Sequence, residues 1–191
     1  MVFNVTGYHT CKAMGGIQHI RKSVPFLSLP NNQWLGQGYY FWTDDAYWAR
    51  DWLNQPKVIS EFTIELDKTK VLDLVGDVKH QILFNDICSL FKDGGIYQEA
   101  YSEKYGGDIF ITHIFSWLRD ECKIPGEENL FPYWAVRAKD KRFVSKFPFH
   151  EKGREELLLV ERHQMCVYSE YKDQIVKFEK FVHPSHFAEH A

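Results

Sequence analysis

The sequence predicts an α+β domain with a mostly antiparallel sheet and a helical insertion. Stretches with the two-residue alternation of strands fill both ends of the chain, whereas residues 76–121 between them show helical spacing. Strands and helices grouped in this way are typical of α+β folds, because parallel folds alternate the two along the chain. At 191 residues the chain has the length of one domain. We therefore expect a single domain over residues 1–191, with residues 76–121 as an insertion within it.

Alternation and capping residues place the elements of the first half of the chain. Residues 58–66 alternate most strictly, so every second side chain from Val58 to Leu66 shares one face. Glycines lead into an aromatic stretch, and Thr43 after it is expected to be the N-cap of a helix. In order, this half has predicted strands at residues 2–9, 39–42, 58–66 and 71–75 and a predicted helix at residues 13–22.

The middle of the chain is helical and its end returns to strands. Residues 76–92 and 108–121 each have apolar residues at helical spacing, which predicts two amphipathic helices. The polar, glycine-bounded segment between them, residues 93–107, is predicted to be a loop. The predicted strands of the last part are residues 133–138, 157–160, 164–168 and 174–182.

Charge and hydropathy narrow the classes of function. The net charge of −3 excludes a global positive field that would draw the protein to nucleic acid or to a membrane. No apolar stretch is long enough to cross a membrane, and the N-terminus lacks the layout of a signal peptide, so we expect a cytoplasmic protein. The chain also has a local basic stretch. Such a stretch most often forms a solvated face of the protein, and the alternative function is to bind phosphates. Its cations are Arg137, Lys139, Lys141 and Arg142.

Cysteine and histidine spacing gives no sign of a metal. The four cysteines form no Cys-x-x-Cys motif, which suits reduced, buried thiols. His183, His186 and His190 near the end of the chain fit no standard zinc spacing. We expect no metal site.

Aromatic side chains are dense between residues 39 and 52, where seven of the fourteen residues are Phe, Tyr or Trp. A core needs only some of these rings, and a surplus tends to line concave ligand sites. A cationic ring held against aromatic faces gains roughly 0.5–2 kcal/mol for each face. This stretch therefore favours a site for a flat, cationic ligand.

Three separated motifs resemble those of a known family. They are Tyr8-His9-Thr10, Gly38-Tyr39-Tyr40-Phe41 and Gln164-Met165-Cys166-Val167-Tyr168. Their order resembles the ADP-ribosyltransferase fold, in the branch shared by diphtheria toxin and the poly-ADP-ribose polymerases, whose signature is His, Tyr and Glu on three strands. The chain is most similar to small bacterial ADP-ribosyltransferase-like toxin proteins. The resemblance implies split, mostly antiparallel sheets around a cleft that binds NAD as a substrate.

The resemblance also implies roles for single residues. His9 matches the histidine that bonds the adenosine-side ribose, and Tyr40 matches the tyrosine that stacks on nicotinamide. Trp48 is expected to supply a second ring, while Trp34, Trp42 and Trp52 are assigned to packing. Gly38 and Thr10 are expected to contact NAD, and Gln164 stands where the family has its catalytic glutamate.

Two positions depart from the family pattern. Thr10 replaces a glycine whose backbone holds the nicotinamide amide; a backbone contact survives if the local conformation tolerates a side chain. Gln164 replaces a carboxylate that stabilises an oxocarbenium-like ribose, and an amide brings no charge. Either another carboxylate helps, with Glu161 and Glu170 nearest in sequence, or the enzyme is slow, or the protein only binds NAD.

We therefore expect an NAD-dependent ADP-ribosyltransferase, a toxin or effector that modifies a protein or a nucleic acid and releases nicotinamide. Two alternatives stay open: an NAD-binding module with weak catalysis that acts through partners, and an NAD glycohydrolase that uses water as acceptor. An antitoxin or immunity protein is implied by analogy only.

Overall fold

The computed structural model describes residues 1–29, 33–93, 95, 108–121, 131–151 and 153–188. The fold is mixed α/β with a seven-stranded, mostly antiparallel sheet, which confirms the predicted sheet. The loop predicted at residues 93–107 lies almost wholly outside the described residues. In the described part of the chain, no helix has both the length and the apolar character that a membrane crossing requires.

The described elements follow the predicted order. The strands are β1 Val2–Lys12, β2 Tyr39–Thr43, β3 Lys57–Asp67, β4 Val71–Asp73, β5 Ala135–Lys139, β6 Ser145–Pro148, β7 Glu156–Leu159, β8 His163–Val167 and β9 Val176–His183. The helices are α1 Gly16–Ser23, α2 Tyr47–Asp51, α3 Val78–Asp93, α4 Ile111–Ser116, α5 Lys172–Ile175 and α6 Ser185–Ala188, and a π-helical turn, Trp117–Glu121, follows α4. Helices α3 and α4 lie where the two amphipathic helices are predicted.

The main sheet has the strand order β4-β5-β8-β2-β1-β3-β9 and is antiparallel except between β4 and β5. All eleven residues of β1 pair with β3. In contrast, β1 pairs with β2 only at Gly7–Thr43 and Tyr8–Trp42. Beyond Tyr8 the two strands no longer pair, so the sheet opens in its centre.

Alternation along the strands sends side chains into two cores on opposite faces of the sheet. Phe41 and Met165, which are register partners, lie in the first core with Phe62 of β3. The next pair along, Tyr40 and Cys166, lies against the second core, which α3 and α4 cover. A fully buried Phe or Leu side chain contributes about 1.5–3 kcal/mol, so both faces of the central strands are strongly anchored.

The predicted N-cap is wrong. Thr43 ends β2 as a buried residue, and its Oγ1 accepts a hydrogen bond from Arg137 Nε at 3.3 Å. The chain then turns at Asp44, whose φ is +75°. Helix α2 begins only at Tyr47, whose backbone N–H donates to Asp45 Oδ1 at 2.7 Å. The Thr43 hydroxyl therefore binds Arg137, which is distant in sequence, instead of capping the helix.

Strands β6 and β7, which lie between β5 and β8 in the sequence, form a separate two-stranded sheet. The apolar run at residues 157–160 predicted β7, whereas β6, just after the cations at residues 137–142, was not predicted. The hairpin leaves the main sheet after Asp140 and returns at Arg162, where the Asp140 N–H donates to the Arg162 carbonyl at 3.4 Å.

Candidate functional site

A cleft of about 740 Å³ lies where β1 and β2 diverge. Four of the predicted site residues line it together: His9, Thr10, Tyr40 and Gln164. Among the other residues that line the cleft are Lys12, Trp34, Trp42, Trp52, Asp140 and Arg162. The cleft therefore has aromatic walls, with Asp140 and Arg162 toward one end and Lys12 toward the other.

His9 is buried and both of its ring nitrogens have backbone partners. The Phe26 N–H donates to Nε2 at 3.2 Å, so Nε2 is unprotonated and Nδ1 carries the proton. Nδ1 in turn donates to the Tyr40 carbonyl at 3.0 Å. Burial lowers the pKa of His9, because desolvation disfavours the charged ring. In this conformation the imidazole connects β1 to β2 across the opening and leaves no ring nitrogen for a ribose hydroxyl.

Thr10 presents its backbone to the cleft. The Asp44 N–H donates to the Thr6 carbonyl at 2.9 Å, so the backbone groups of Thr6 point toward β2. Backbone groups alternate in direction along a strand, and those of Tyr8 and Thr10 point the same way. At Thr10, β2 is no longer paired, so an N–H and a C=O face the opening. The Thr10 side chain donates to the Ala49 carbonyl at 3.0 Å and holds α2 instead.

Tyr40 is fixed by its hydroxyl. This group accepts from the Leu35 N–H at 3.0 Å and donates to the Gly36 carbonyl at 2.7 Å. Burial raises the pKa of the Tyr40 hydroxyl well above its usual value, so it stays protonated. The ring packs against the second core and its remaining surface lines the cleft. Tyr40 thereby presents an immobilised ring rather than a reactive hydroxyl.

Gln164 has one end of its amide free. Its Oε1 accepts from Trp34 Nε1 at 2.9 Å, an orientation that follows from the indole being a donor only. The Gln164 NH₂ group has no hydrogen-bond partner among the described residues. Gln164 is the register partner of Trp42 on β2 and of Ala138 on β5, so it lies in the wall of the cleft. It offers two donors to a ligand.

Asp140 and Arg162 form an ion pair in the cleft, two residues along their strands from Ala138 and Gln164. The Arg162 guanidinium lies 5.7 Å from the centre of the Trp42 ring. Desolvation lowers the pKa of Arg162, which nevertheless stays charged because an arginine starts so far above neutral pH. Asp140 is the one carboxylate that lines the cleft in the described part of the chain.

The two carboxylates suggested by sequence proximity lie elsewhere. Glu161 is paired with Lys139 at 2.8 Å, and Glu170 with Arg119 at 3.3 Å. Neither lines the cleft. Asp140 is not predictable from the sequence, because its place opposite Arg162 depends on the register of β5 on β8. Arg162 could have been found, since it lies two residues before Gln164 and shares its face.

The tryptophans expected to pack also line the cleft, and Trp42 keeps the expected packing role, since it is buried in a core with Ala49 and Ile59. Trp34, Trp42 and Trp52, assigned to packing, line the cleft, and the rings of Trp42 and Trp52 lie 5.5 Å apart. Trp48 lies outside the lining: its Nε1 donates to the Glu161 carbonyl at 3.0 Å and its ring packs beside Ala49. Trp48 supports the wall of the cleft from behind.

Gly38 also lies outside the lining. It exchanges backbone hydrogen bonds with Ser28 at 2.9 and 3.2 Å, which ties the loop after α1 to β2. A Cβ at this position would lie 2.6 Å from both Cys166 Sγ and the Val167 carbonyl oxygen. Glycine is therefore required for the close approach of the chain before β2 to β8.

The basic stretch is partly neutralised. Arg137 pairs with Asp44 and, at 3.8 Å, with Asp73, and Lys139 pairs with Glu161. These two cations are held by the protein itself. Lys141 and Arg142 are exposed, and neither has an ion pair within the described ranges.

The described residues contain no group of three or more His, Cys, Asp or Glu side chains that could hold a metal ion. Burial raises the pKa of Cys11 to about 11, so this thiol in the cleft wall is protonated at neutral pH and a poor nucleophile. Cys122 lies outside the described residues.

Comparison of the chain with protein-family models, curated proteins and solved structures gave no significant match. The function is therefore argued from the geometry of the cleft.

Proposed function

We propose that this protein is an NAD-dependent ADP-ribosyltransferase whose NAD site is the cleft between β1 and β2. The observation that supports this most is the unpaired backbone of Thr10 in an opening with aromatic walls. A split between two central strands is also what the resemblance to the ADP-ribosyltransferase fold implies.

The backbone of Thr10 complements a carboxamide. A nicotinamide amide has one acceptor oxygen and one NH₂ donor, and Thr10 offers one N–H and one C=O on the same edge of β1. The threonine side chain does not obstruct this contact, because Oγ1 is bound to α2. The cationic ring would lie against the aromatic wall of which Tyr40 is part, with about 0.5–2 kcal/mol gained for each face.

The remaining polar groups suit the rest of a dinucleotide. The NH₂ group of Gln164 can donate to a hydroxyl of the nicotinamide-side ribose. The negative charge of the pyrophosphate has Arg162 as its partner in the cleft, two residues from Gln164 on the side away from Thr10. His9 has a different role from the one the family implies: it holds the opening rather than a sugar.

Asp140 supplies the charge that Gln164 lacks. In the reaction the bond between ribose C1′ and the nicotinamide nitrogen breaks, and its electron pair leaves with neutral nicotinamide. The oxocarbenium-like C1′ then bonds to an oxygen or nitrogen of the acceptor, whose proton passes to Asp140 or to solvent. Asp140 is a diagonal cross-strand neighbour of Gln164, about 7–8 Å away between Cα atoms, so its carboxylate can stabilise this cation.

Two alternatives share the site. The neutral Gln164 and the compensation of Asp140 by Arg162 favour an NAD-binding module without turnover. Water in place of a macromolecule would make the protein an NAD glycohydrolase. Both alternatives predict NAD binding, so the products distinguish them from transfer.

The decisive measurement is incubation with adenylate-labelled NAD and cell extract, followed by separate protease and nuclease digestion. We expect nicotinamide release together with label on a macromolecule. Release without macromolecular label identifies a glycohydrolase, and binding without release identifies a binding module. Absence of NAD binding at high protein concentration overturns the site altogether.

Two substitutions test the charge in the cleft. Asp140→Asn is expected to lower nicotinamide release by about 10²-fold, because one preorganised charge is lost near the transition state. Gln164→Glu is expected to raise release and still accepts the Trp34 hydrogen bond. Glu161→Gln is the matched control, since it removes a carboxylate outside the cleft. Equal losses in Asp140→Asn and Glu161→Gln would contradict the assignment of Asp140.

A further inference from the structure

The β6–β7 hairpin exposes an apolar face. Phe147 is the register partner of Leu157, and Ser145 of Leu159, while the Phe149 N–H continues the ladder by donating to the Glu155 carbonyl at 3.2 Å. Every second residue shares a face of a strand. The large apolar side chains of this face, which we name the hairpin face, are Phe147, Phe149, Leu157 and Leu159, with exposed fractions of 55%, 64%, 44% and 42%.

Cations are frequent in and next to the hairpin. Residues 141–160 contain five Lys or Arg against three Asp or Glu, although the whole chain has a net charge of −3. Lys146 is paired with Glu156 at 2.8 Å. Lys141, Arg142 and Arg154 are exposed, and the structure shows no ion pair for them within the residues it describes. Three exposed cations, for which the described residues contain no ion pair, therefore lie on or next to the hairpin that carries the two exposed rings, together with the exposed carboxylate of Glu155 opposite Phe149.

The hairpin is continuous with the cleft. Its two ends are Asp140 and Arg162, and both line the cleft. From Arg162 the chain back to β7 is three residues long, which is about 10 Å in an extended conformation. A polymer bound along the hairpin face can therefore reach the opening between β1 and β2.

We propose that the hairpin face binds single-stranded nucleic acid, with bases stacked on Phe147 and Phe149 and phosphates held by Lys141, Arg142 and Arg154. Aromatic platforms flanked by cations are the means by which proteins bind single strands without strong sequence preference. That the bound strand is the acceptor of ADP-ribose rests on the proposed function; the binding itself does not.

A second copy of the chain fits this surface less well. A stable interface buries about 800 Å² on each partner, whereas a whole aromatic side chain contributes about 150–250 Å² and the two rings here are already partly covered. Two half-exposed phenylalanines and two half-exposed leucines fall short of that area. Two protein copies would also bring their excess positive charges together.

The test uses the full chain and fluorescein-labelled single-stranded RNA and DNA 12-mers, in anisotropy titrations without NAD. We expect salt-dependent binding that weakens at least tenfold in Phe147→Ala and in Phe149→Ala. Arg142→Ala should lower the slope of log affinity against log salt by about one unit. Ile82→Ala, which truncates an equally exposed apolar residue on α3, is the control and should bind as the wild type does.

Four outcomes would overturn the proposal. These are no binding at low salt, equal affinity of the wild type and both phenylalanine variants, preferential binding of anionic lipid vesicles, and a dimer in sedimentation that the phenylalanine variants abolish. The titrations contain no NAD, so an absence of nucleic-acid binding would not contradict nicotinamide release by the same protein. Conversely, binding by a protein that fails to use NAD would refute the proposed function and leave the hairpin face as a nucleic-acid site.

Discussion

Removing the Tyr40 hydroxyl separates the structural role of this residue from its ring. In Tyr40→Phe, the Leu35 N–H at 3.0 Å loses its acceptor, and the Gly36 carbonyl, 2.7 Å from the hydroxyl, keeps only the Cys166 Sγ at 3.8 Å as a donor. Leu35 is buried, so its N–H cannot turn to water, and an unsatisfied buried group costs about 1–3 kcal/mol. Gly36 is half-buried and can be solvated. We expect a loss of about 2 kcal/mol in the free energy of unfolding, or about 4–8 °C in Tm.

The assay is urea unfolding followed by tryptophan fluorescence, with NAD affinity measured in parallel. Tyr39→Phe is the control on the same strand, because the Tyr39 hydroxyl has no hydrogen bond in the described part of the chain. Its free energy of unfolding should stay within about 0.5 kcal/mol of the wild type. NAD affinity of Tyr40→Phe should be nearly unchanged under native conditions, since the stacking ring remains.

A Tyr40→Phe protein as stable as Tyr39→Phe would refute the anchoring role of the hydroxyl. A large loss of NAD affinity with unchanged stability would place the hydroxyl, and not the ring, against the ligand. Truncation to alanine is less informative. It removes a ring that packs on the second core, at a cost of about 3–5 kcal/mol. A loss of NAD binding could then result either from unfolding or from the missing ring.

Two further substitutions test the framework that holds the cleft. His9 stays neutral in the folded protein, so its contribution to stability is present above the unfolded pKa of 6.5 and is lost as the pH falls through the lowered folded value. His9→Asn, which can still donate to the Tyr40 carbonyl, should show a smaller fall in urea midpoint between pH 7.5 and 5.5, and an unchanged fall would contradict the buried neutral ring. Gly38→Ala should lower the free energy of unfolding by about 1–3 kcal/mol, because its Cβ would overlap Cys166 Sγ and the Val167 carbonyl; calorimetry that finds wild-type stability would show that the two segments separate without strain.

Features that depend on local alternation were predicted from the sequence. Strand β3 has a buried side chain at every second position from Val58 to Leu66, with Ile59 buried on the other face as well, and β8 starts one residue before Gln164. The motif order also predicted that His9, Thr10, Tyr40 and Gln164 would meet. The strand predictions need only residues near one another in sequence, whereas the meeting of the four site residues was implied by the resemblance.

Features that depend on distant partners were not predictable. Thr43 has the residue type of an N-cap, but Arg137, ninety-four positions away, takes its hydroxyl. His9 was expected to bind a sugar, and two backbone groups from other segments occupy its nitrogens. Asp140 enters the cleft through the register of β5 on β8, which a single sequence does not contain. In all three cases, contacts with residues distant in sequence determine the role of the side chain.

The imidazole between β1 and β2 has a consequence for how any ligand enters. Where a ladder hydrogen bond would draw two strands together, the His9 ring spaces them, so the width of the opening is set before a ligand arrives. Binding then requires no separation of strands, and the associated loss of conformational freedom has already occurred during folding. We expect the sheet to be the same in the free and ligand-bound protein, so that hydrogen exchange of the β1 and β2 amides changes little on binding, except at Thr10, whose N–H is free within the described part of the chain until the ligand binds.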